Sequence, residues 1–235
     1  MIGLMELSQD DLMSPTSSSG VPAAGSRRIL KSEEAAAAIR KGIVRAARDC
    51  ERWGGDWPTD RGCENLLQVR AAEELHELLS GFKLGWLTLE QPLGDIIWEG
   101  TSQRGRPLAG ITEQKRADIA IWSKAERIYA IAEIKRAEAD RDWLGDLEKI
   151  ARIVDRYGCH QGNHVRYGIL GVFISRRRGD LLAERGNALK SLAKNVAAQF
   201  GLRQRTRFDE SDLHYYQDGD GGGWTCGAAS VVLSL

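Results

Sequence analysis

The chain has 235 residues, 33 of them basic and 33 acidic, so its formal net charge is zero, and 42% of its residues are hydrophobic. This length and apolar share fit one compact domain with a real core and exclude a disordered polyelectrolyte. No run approaches the ~20 apolar residues of a membrane span, and the neutral total confines any polyanion binding to local patches. The four cysteines, Cys50, Cys63, Cys159 and Cys226, are scattered without a Cys-x-x-Cys pair, and no basic-then-apolar leader opens the chain. A zinc ribbon, a disulfide framework and secretion are therefore not expected, and a cytoplasmic location is.

In chain order, residues 1–27 read as a disordered tail, since the Ser-, Pro- and Gly-rich stretch from Ser14 to Gly25 has too little apolar surface to offset its ordering entropy. The rest, 28–235, reads as a single domain. Ser32 is the expected N-cap of a helix to about Arg52, with Glu33 and Glu34 in its first turn and Ile39, Ile43, Ala46, Ala47 and Cys50 at three- and four-residue steps. A second helix is expected over about 64–79, on Leu67, Ala71, Leu75, Leu78 and Leu79, with Gly81 just past its end. The period then changes. A strand is expected at 86–90, stopped by Pro92, then a Gly-rich connection with a short strand near Ile96–Trp98. Strands at 116–122 and 127–135 enclose the tight connection 123–126 and read as a hairpin. A helix is expected over 140–157, a strand buried on both faces over 167–175, and a helix over 180–200 that is interrupted at Gly186-Asn187 and ends at Gly201. Strands at 202–208 and 224–235, separated by a Gly/Asp loop at 218–223, close the chain. This order predicts one mixed α/β domain.

The hairpin carries the chemistry. Asp118 opens its first strand and Glu133 closes its second, and both lie equally far from the centre of the turn between Ala125 and Glu126. Residues so placed in an antiparallel pair are cross-strand neighbours, with Cα atoms within about 4.5–5.5 Å. Glu133 and Lys135 share a face while Ile134 points to the opposite layer. Adjacent carboxylates repel unless a cation sits between them, and Mg²⁺ suits one or two carboxylates completed by water and phosphate oxygens. Lys135 beside such an ion would orient or help deprotonate an attacking water and stabilise charge on a phosphate, which is metal-assisted phosphodiester hydrolysis.

Asp118 followed by Glu133-Ile134-Lys135 on the next strand resembles the PD-(D/E)XK nuclease superfamily, although Ala117 stands where the motif's proline would be. The helix, three strands, helix and strand over residues 64–175 are similar to that family's core. The resemblance implies an α/β, three-layer αβα restriction-endonuclease-like fold with a central mixed β-sheet. It also implies Mg²⁺-dependent cleavage of DNA, usually leaving a 5′-phosphate, with Mn²⁺ as a substitute ion. Asp118 and Glu133 would be metal ligands, Lys135 the catalytic lysine, and Glu64 the helix glutamate that completes the catalytic and metal-binding set; Glu73, Glu77 and Glu90 compete for that place.

Other features point more weakly. From Arg176 to Arg207 nine basic residues stand against Asp180 and Glu184. Arg176, Arg177, Arg178, Arg203, Arg205 and Arg207 are the expected phosphate-backbone contacts, the last three forming a one-faced stripe on a strand. Lys149 lies on the helix after the catalytic strand, where members of that family often have a polar residue facing the site, but it reads first as part of an exposed Glu/Lys helix face. Trp53, Trp57, Trp86 and Trp143 read as packing residues before base-stacking ones. With no helix-turn-helix, zinc finger or NTPase motif in the sequence, targeting is expected from a partner protein subunit or a homo-oligomer. The expectation is a DNA endonuclease serving as the effector of a prokaryotic anti-phage defence or restriction system. The alternatives are a repair or recombination nuclease for structured DNA, and a non-cutting nucleic-acid-binding or scaffold module of the same fold.

Overall fold

A computed structural model describes residues 29–54, 64–101, 115–136, 140–176, 180–208, 214–217 and 223–235. The expected tail at 1–27, most of the 218–223 loop, Trp57, Cys63, Arg177 and Arg178 lie outside these residues. Helix α1 (Ser32–Gly54) and α2 (Glu64–Phe82) precede β1 (Gly85–Pro92), α3 (Leu93–Gly100), β2 (Arg116–Ser123), β3 (Ile128–Arg136) and α4 (Asp140–Tyr157). A short 3₁₀ turn (Cys159–Gln161), β4 (Tyr167–Arg176), α5 (Asp180–Gln199), β5 (Arg203–Phe208), β6 (His214–Gln217) and β7 (Gly223–Ser234) follow. The strands form one open mixed sheet in the order β1-β2-β3-β4-β7-β5, with β6 also on β7. Only β3 and β4 run parallel among these pairs. A parallel pair needs a long crossover, and α4 supplies it.

Side chains alternate across the sheet and feed two cores. One joins Ile39, Ile43, Leu67 and Leu75 of α1 and α2 to Ile119, Ala132, Ile134 and Phe173. The other joins Ile96, Trp143, Leu147, Ile150 and Leu189 of α3, α4 and α5 to Ala120, Ile131, Leu170 and Val231. The molecule is thus α/β, with helices on both faces of a mixed sheet. β4 lies between β3 and β7, which accounts for its continuous apolar run. Close packing needs glycine at two places: a Cβ on Gly171 would stand 2.5 Å from Ile39 Cγ2, and one on Gly42 would stand 2.4 Å from the Arg70 carbonyl oxygen. Among the described residues no helix is long and apolar enough to cross a membrane.

Several boundaries differ from expectation for physical reasons. Ser32 is the first helical residue of α1 rather than its cap, and Glu34 accepts a hydrogen bond from the Lys31 N–H at 3.3 Å. The stretch around Ile96–Trp98 is helix α3, not a strand: Pro92 ends β1 and caps the helix, and Leu93 and Ile96 are buried one turn apart. Gly81 lies inside α2, which closes instead with Lys83 at φ 52° and a Leu84 N–H bond to the Leu79 carbonyl. α5 continues through Gly186-Asn187, and at its end Gly201 adopts φ 65° while the Leu202 N–H bonds the Ala197 carbonyl. Strand β6 had no counterpart in the sequence pattern.

Candidate active site at the end of β2 and β3

The β2–β3 register decides what meets at the far end of the hairpin. Near the turn Trp122 pairs with Ile128; farther out Ile121, Ala120 and Ile119 pair with Ala130, Ile131 and Ala132, because a bulge shifts the register by one at Tyr129. The turn is therefore centred on Ala125, and the extra residue in β3 restores the register expected from the sequence. One further step sets Asp118 across from Glu133. Without the bulge Asp118 would face Ala132, since a one-residue slip turns every side chain to the other face.

Around this point stand Glu64, Asp118, Glu133, Lys135 and two residues of α4, Asp146 and Lys149. Glu133 is 1% exposed; its Oε2 lies 2.5 Å from Lys149 Nζ, and its Oε1 has no hydrogen-bond partner. Asp118 Oδ2 accepts the Ile134 N–H at 2.7 Å, and its backbone carbonyl accepts from Gln68 Nε2, also at 2.7 Å. Lys135 Nζ sits 2.9 Å from Glu64 Oε1 and 3.7 Å from Asp146 Oδ2. Lys149 Nζ also reaches Asp146 Oδ1 at 3.3 Å and donates to the Arg116 carbonyl at 3.3 Å. Lys135 thereby spans the end of the sheet, from α2 on one side to α4 on the other.

Charge here is in surplus. Among the described residues Glu64, Asp118, Glu133 and Asp146 meet two ammonium groups, and Glu90 acts on Asp118 as well, so full ionisation leaves an excess of negative charge. Burial pushes Glu133 up to about 8, against the attraction of Lys149 and with help from Asp118. Burial also raises Asp118, opposed by the Ile134 N–H, Lys135 and Lys149 and assisted by Glu90. For Lys135, burial favours the neutral form but is outweighed by the Glu64 hydrogen bond and by the charges of Asp146, Glu64 and Asp118, so its pKa is raised. Lys149 is raised in the same way, burial being overcome chiefly by Glu133. Its acidic neighbours thus favour the Lys135 ammonium, which stands where it can donate hydrogen bonds and offset their negative charge.

The expected set is brought together in part. Asp118, Glu133 and Lys135 converge. Glu64 reaches the same place but stands on Lys135 rather than beside the other carboxylates, and among the described residues no three His, Cys, Asp or Glu side chains are grouped to hold a metal ion. Glu73 is engaged by Arg70 and Arg45 on the outer helix surface. Glu77 lines a cavity between α1 and α2 with Lys41. Glu90 lies between the paired positions Leu89↔Ile119 and Gln91↔Ala117, hence across from Asp118, with its backbone at φ 50°. Two carboxylates, one with a buried oxygen lacking any partner, do suit a hard cation that keeps most of its waters. Asp118 and Glu133 are the residues that would hold it.

Lys149 departs from the expected exposed face: its side chain is 13% exposed and closes on Glu133. Asp146 and Gln68 were not foreseen. Their signal was a polar residue against an apolar stripe: Gln68 sits beside Leu67 and one turn before Ala71, and Asp146 and Lys149 each stand next to Leu147 or Ile150. The basic set is dispersed. Arg203, Arg205 and Arg207 are exposed along one side of β5, but on the α1 face, where Arg205 pairs with Glu33, whereas Glu133 meets α4 on the other. Arg185, counted with the basic segment, is buried with its guanidinium 5.4 Å from the centre of the Trp143 ring. Arg176 ends β4. Trp143 is core, as expected, while Trp53 is 61% exposed beneath Arg52 and Arg70. Compared with known proteins, the chain matches no family model, no curated protein and no solved structure.

Proposed function

We propose that the chain is a Mg²⁺-dependent nuclease of the restriction-endonuclease-like fold that hydrolyses phosphodiester bonds in DNA. The observation that carries this reading is Glu133: a carboxyl group 1% exposed, with one oxygen on Lys149 and the other without a partner among the described residues, beside a second, half-buried acid, Asp118. A carboxylate in that position costs several kcal/mol unless a ligand completes it. Mg²⁺ held by Asp118 and Glu133 would supply Lewis-acid polarisation of a phosphoryl oxygen and a water of lowered pKa.

The chain's own residues do the rest. Ile134 N–H and Gln68 fix Asp118 in place, the first through its carboxylate and the second through its carbonyl. Lys135, held protonated by Glu64 and Asp146, presents positive charge to the phosphate oxygens as the water–phosphorus bond forms and the bond to the leaving oxygen breaks. Lys149 holds Glu133 and keeps its charge compensated.

The test is cleavage of plasmid and linear DNA with Mg²⁺, Mn²⁺ or EDTA, with Glu133→Ala and Lys135→Ala alongside. Cutting is expected with either metal, none with EDTA, and a loss of at least about 100-fold in each variant. A wild type that neither cuts nor binds Mn²⁺ in a calorimetric titration would sink the proposal and favour the scaffold reading. Product ends and topology separate a defence or restriction enzyme from a structure-specific one.

A further inference from the structure

β1 is a terminal strand of the sheet, and along its α3 side runs an open cavity of about 300 Å³ lined by Trp86, Thr88, Gln91, Glu99, Trp122 and Glu126. Trp86 stacks on Trp122 with ring centres 6.4 Å apart and planes 9° from parallel, and it remains 38% exposed. Trp122 Nε1 donates to Thr88 Oγ1 at 2.9 Å, which fixes the ring pair against the strand. Among the described residues that line it, the charged groups are the two glutamates, both exposed. Trp98, next to Glu99 on α3, is 78% exposed, so large apolar surface is concentrated on this flank.

We propose that this groove docks an extended, arginine-bearing segment of a partner protein. Indole faces bordered by carboxylates suit a guanidinium, which stacks on the ring and donates to the acids at once. Among the described lining residues there are two acids and no cation, a charge that suits a basic peptide better than a phosphate backbone. Among the described residues no strand pairs with the outer edge of β1, which gives that peptide somewhere to lie. Added as a further strand, it would send alternate side chains over the face that carries Trp86 and Thr88. The regular stretch Gly85–Leu89 is available, and the left-handed backbone at Glu90 limits the ladder beyond it. Trp122 lies four residues along β2 from Asp118, roughly 13 Å at about 3.3 Å per residue, so the docked segment would leave the carboxylates uncovered. The proposal is independent of the nuclease reading.

The test uses the full chain and a fluorescent heptapeptide of alternating arginine and valine, followed by anisotropy. A citrulline-for-arginine peptide serves as control and a single-stranded oligonucleotide as competitor. Saturable binding is expected for the arginine peptide alone. It should weaken about tenfold or more in both Trp86→Ala and the Glu99→Gln/Glu126→Gln double variant. The glutamines replace exposed side chains, so that variant stays informative even if Trp86→Ala fails to fold. Equal binding of the citrulline peptide, full affinity in the double variant, no saturation, or displacement by the oligonucleotide would each overturn the proposal.

Discussion

Glu133 is the residue on which the site turns. Folded, it keeps its proton to about pH 8, against an ordinary value of 4.5. Between those values the folded state therefore binds more protons than the unfolded one, and this group's contribution makes stability fall as pH rises, by up to about 1.4 kcal/mol per pH unit. Without divalent metal, thermal melts from pH 5 to 8.5 should show that decline in the wild type and a flatter profile in Glu133→Gln. Added Mn²⁺ should raise the wild-type Tm more at pH 8 than at pH 6, because an ion must displace the proton, and should leave Glu133→Gln unmoved. A pH profile shared by both proteins would count against Glu133 as the titrating group. At this scale the sequence was readable where strand alternation fixes a side chain, as for Asp118, Glu133 and Lys135. It was opaque where a long side chain chooses its partner in space. Nothing in the spacing of Glu64 says that Lys135 would capture it, and the position of Lys149 fitted an exposed helix face as well as a place at the site.

Among the elements, the bulge at Tyr129 and the crossing of α1 over α2 do most to place the site. Counting from the turn gives the correct Asp118–Glu133 pairing only because a shorter turn and one inserted residue cancel, and neither is visible in the alternation of apolar residues. The hairpin was legible and its internal route was not. α3 was misread for a related reason: three apolar residues beside a proline fit a short strand as well as one helical turn until burial decides. α2 carries Glu64 and Gln68, and it approaches α1 through Gly42, where an added Cβ would meet the Arg70 carbonyl at 2.4 Å. Gly42→Ala should thus lower stability by about 1–3 kcal/mol in urea unfolding, despite the better helix propensity of alanine. It should also reduce metal-dependent cleavage more than a comparably destabilising change in α5. An unchanged midpoint would mean that the two helices separate freely.

In the whole molecule, the sheet divides two cores, and the basic stripe and the buried carboxylates lie on opposite faces of it. The register still relates them: Ile134 pairs with Gly171, Gly171 with Ser230, and Ser230 with Arg207, so Arg207 is level with the site three strands away, about 14 Å at about 4.8 Å per strand. A duplex at the end of the sheet could reach both. If the stripe tracks phosphates, replacing Arg203, Arg205 and Arg207 by glutamine should raise KM, leave kcat nearly unchanged, and flatten log affinity against log salt by about two to three units. An unaltered slope would remove β5 from the substrate path. The overall α/β order could be read from hydrophobic periodicity, whereas the distribution of arginines between faces could not, because strand alternation gives a relative face and not which helix covers it.

Lys135 reaches from Glu64 on the first turn of α2 to Asp146 on α4, so its contacts tie together helices on opposite faces of the sheet. Glu64 is 44% exposed and stands at the very start of its helix, where opening costs least. Opening at Glu64 alone, ahead of the first core residue of the helix, Leu67, removes one of the two carboxylates that hold the ammonium. Catalytic competence should then be lost before the fold is, with cleavage disappearing at a urea concentration where far-ultraviolet ellipticity is still native. If the proposed nuclease reading holds, such an arrangement makes activity more fragile than architecture.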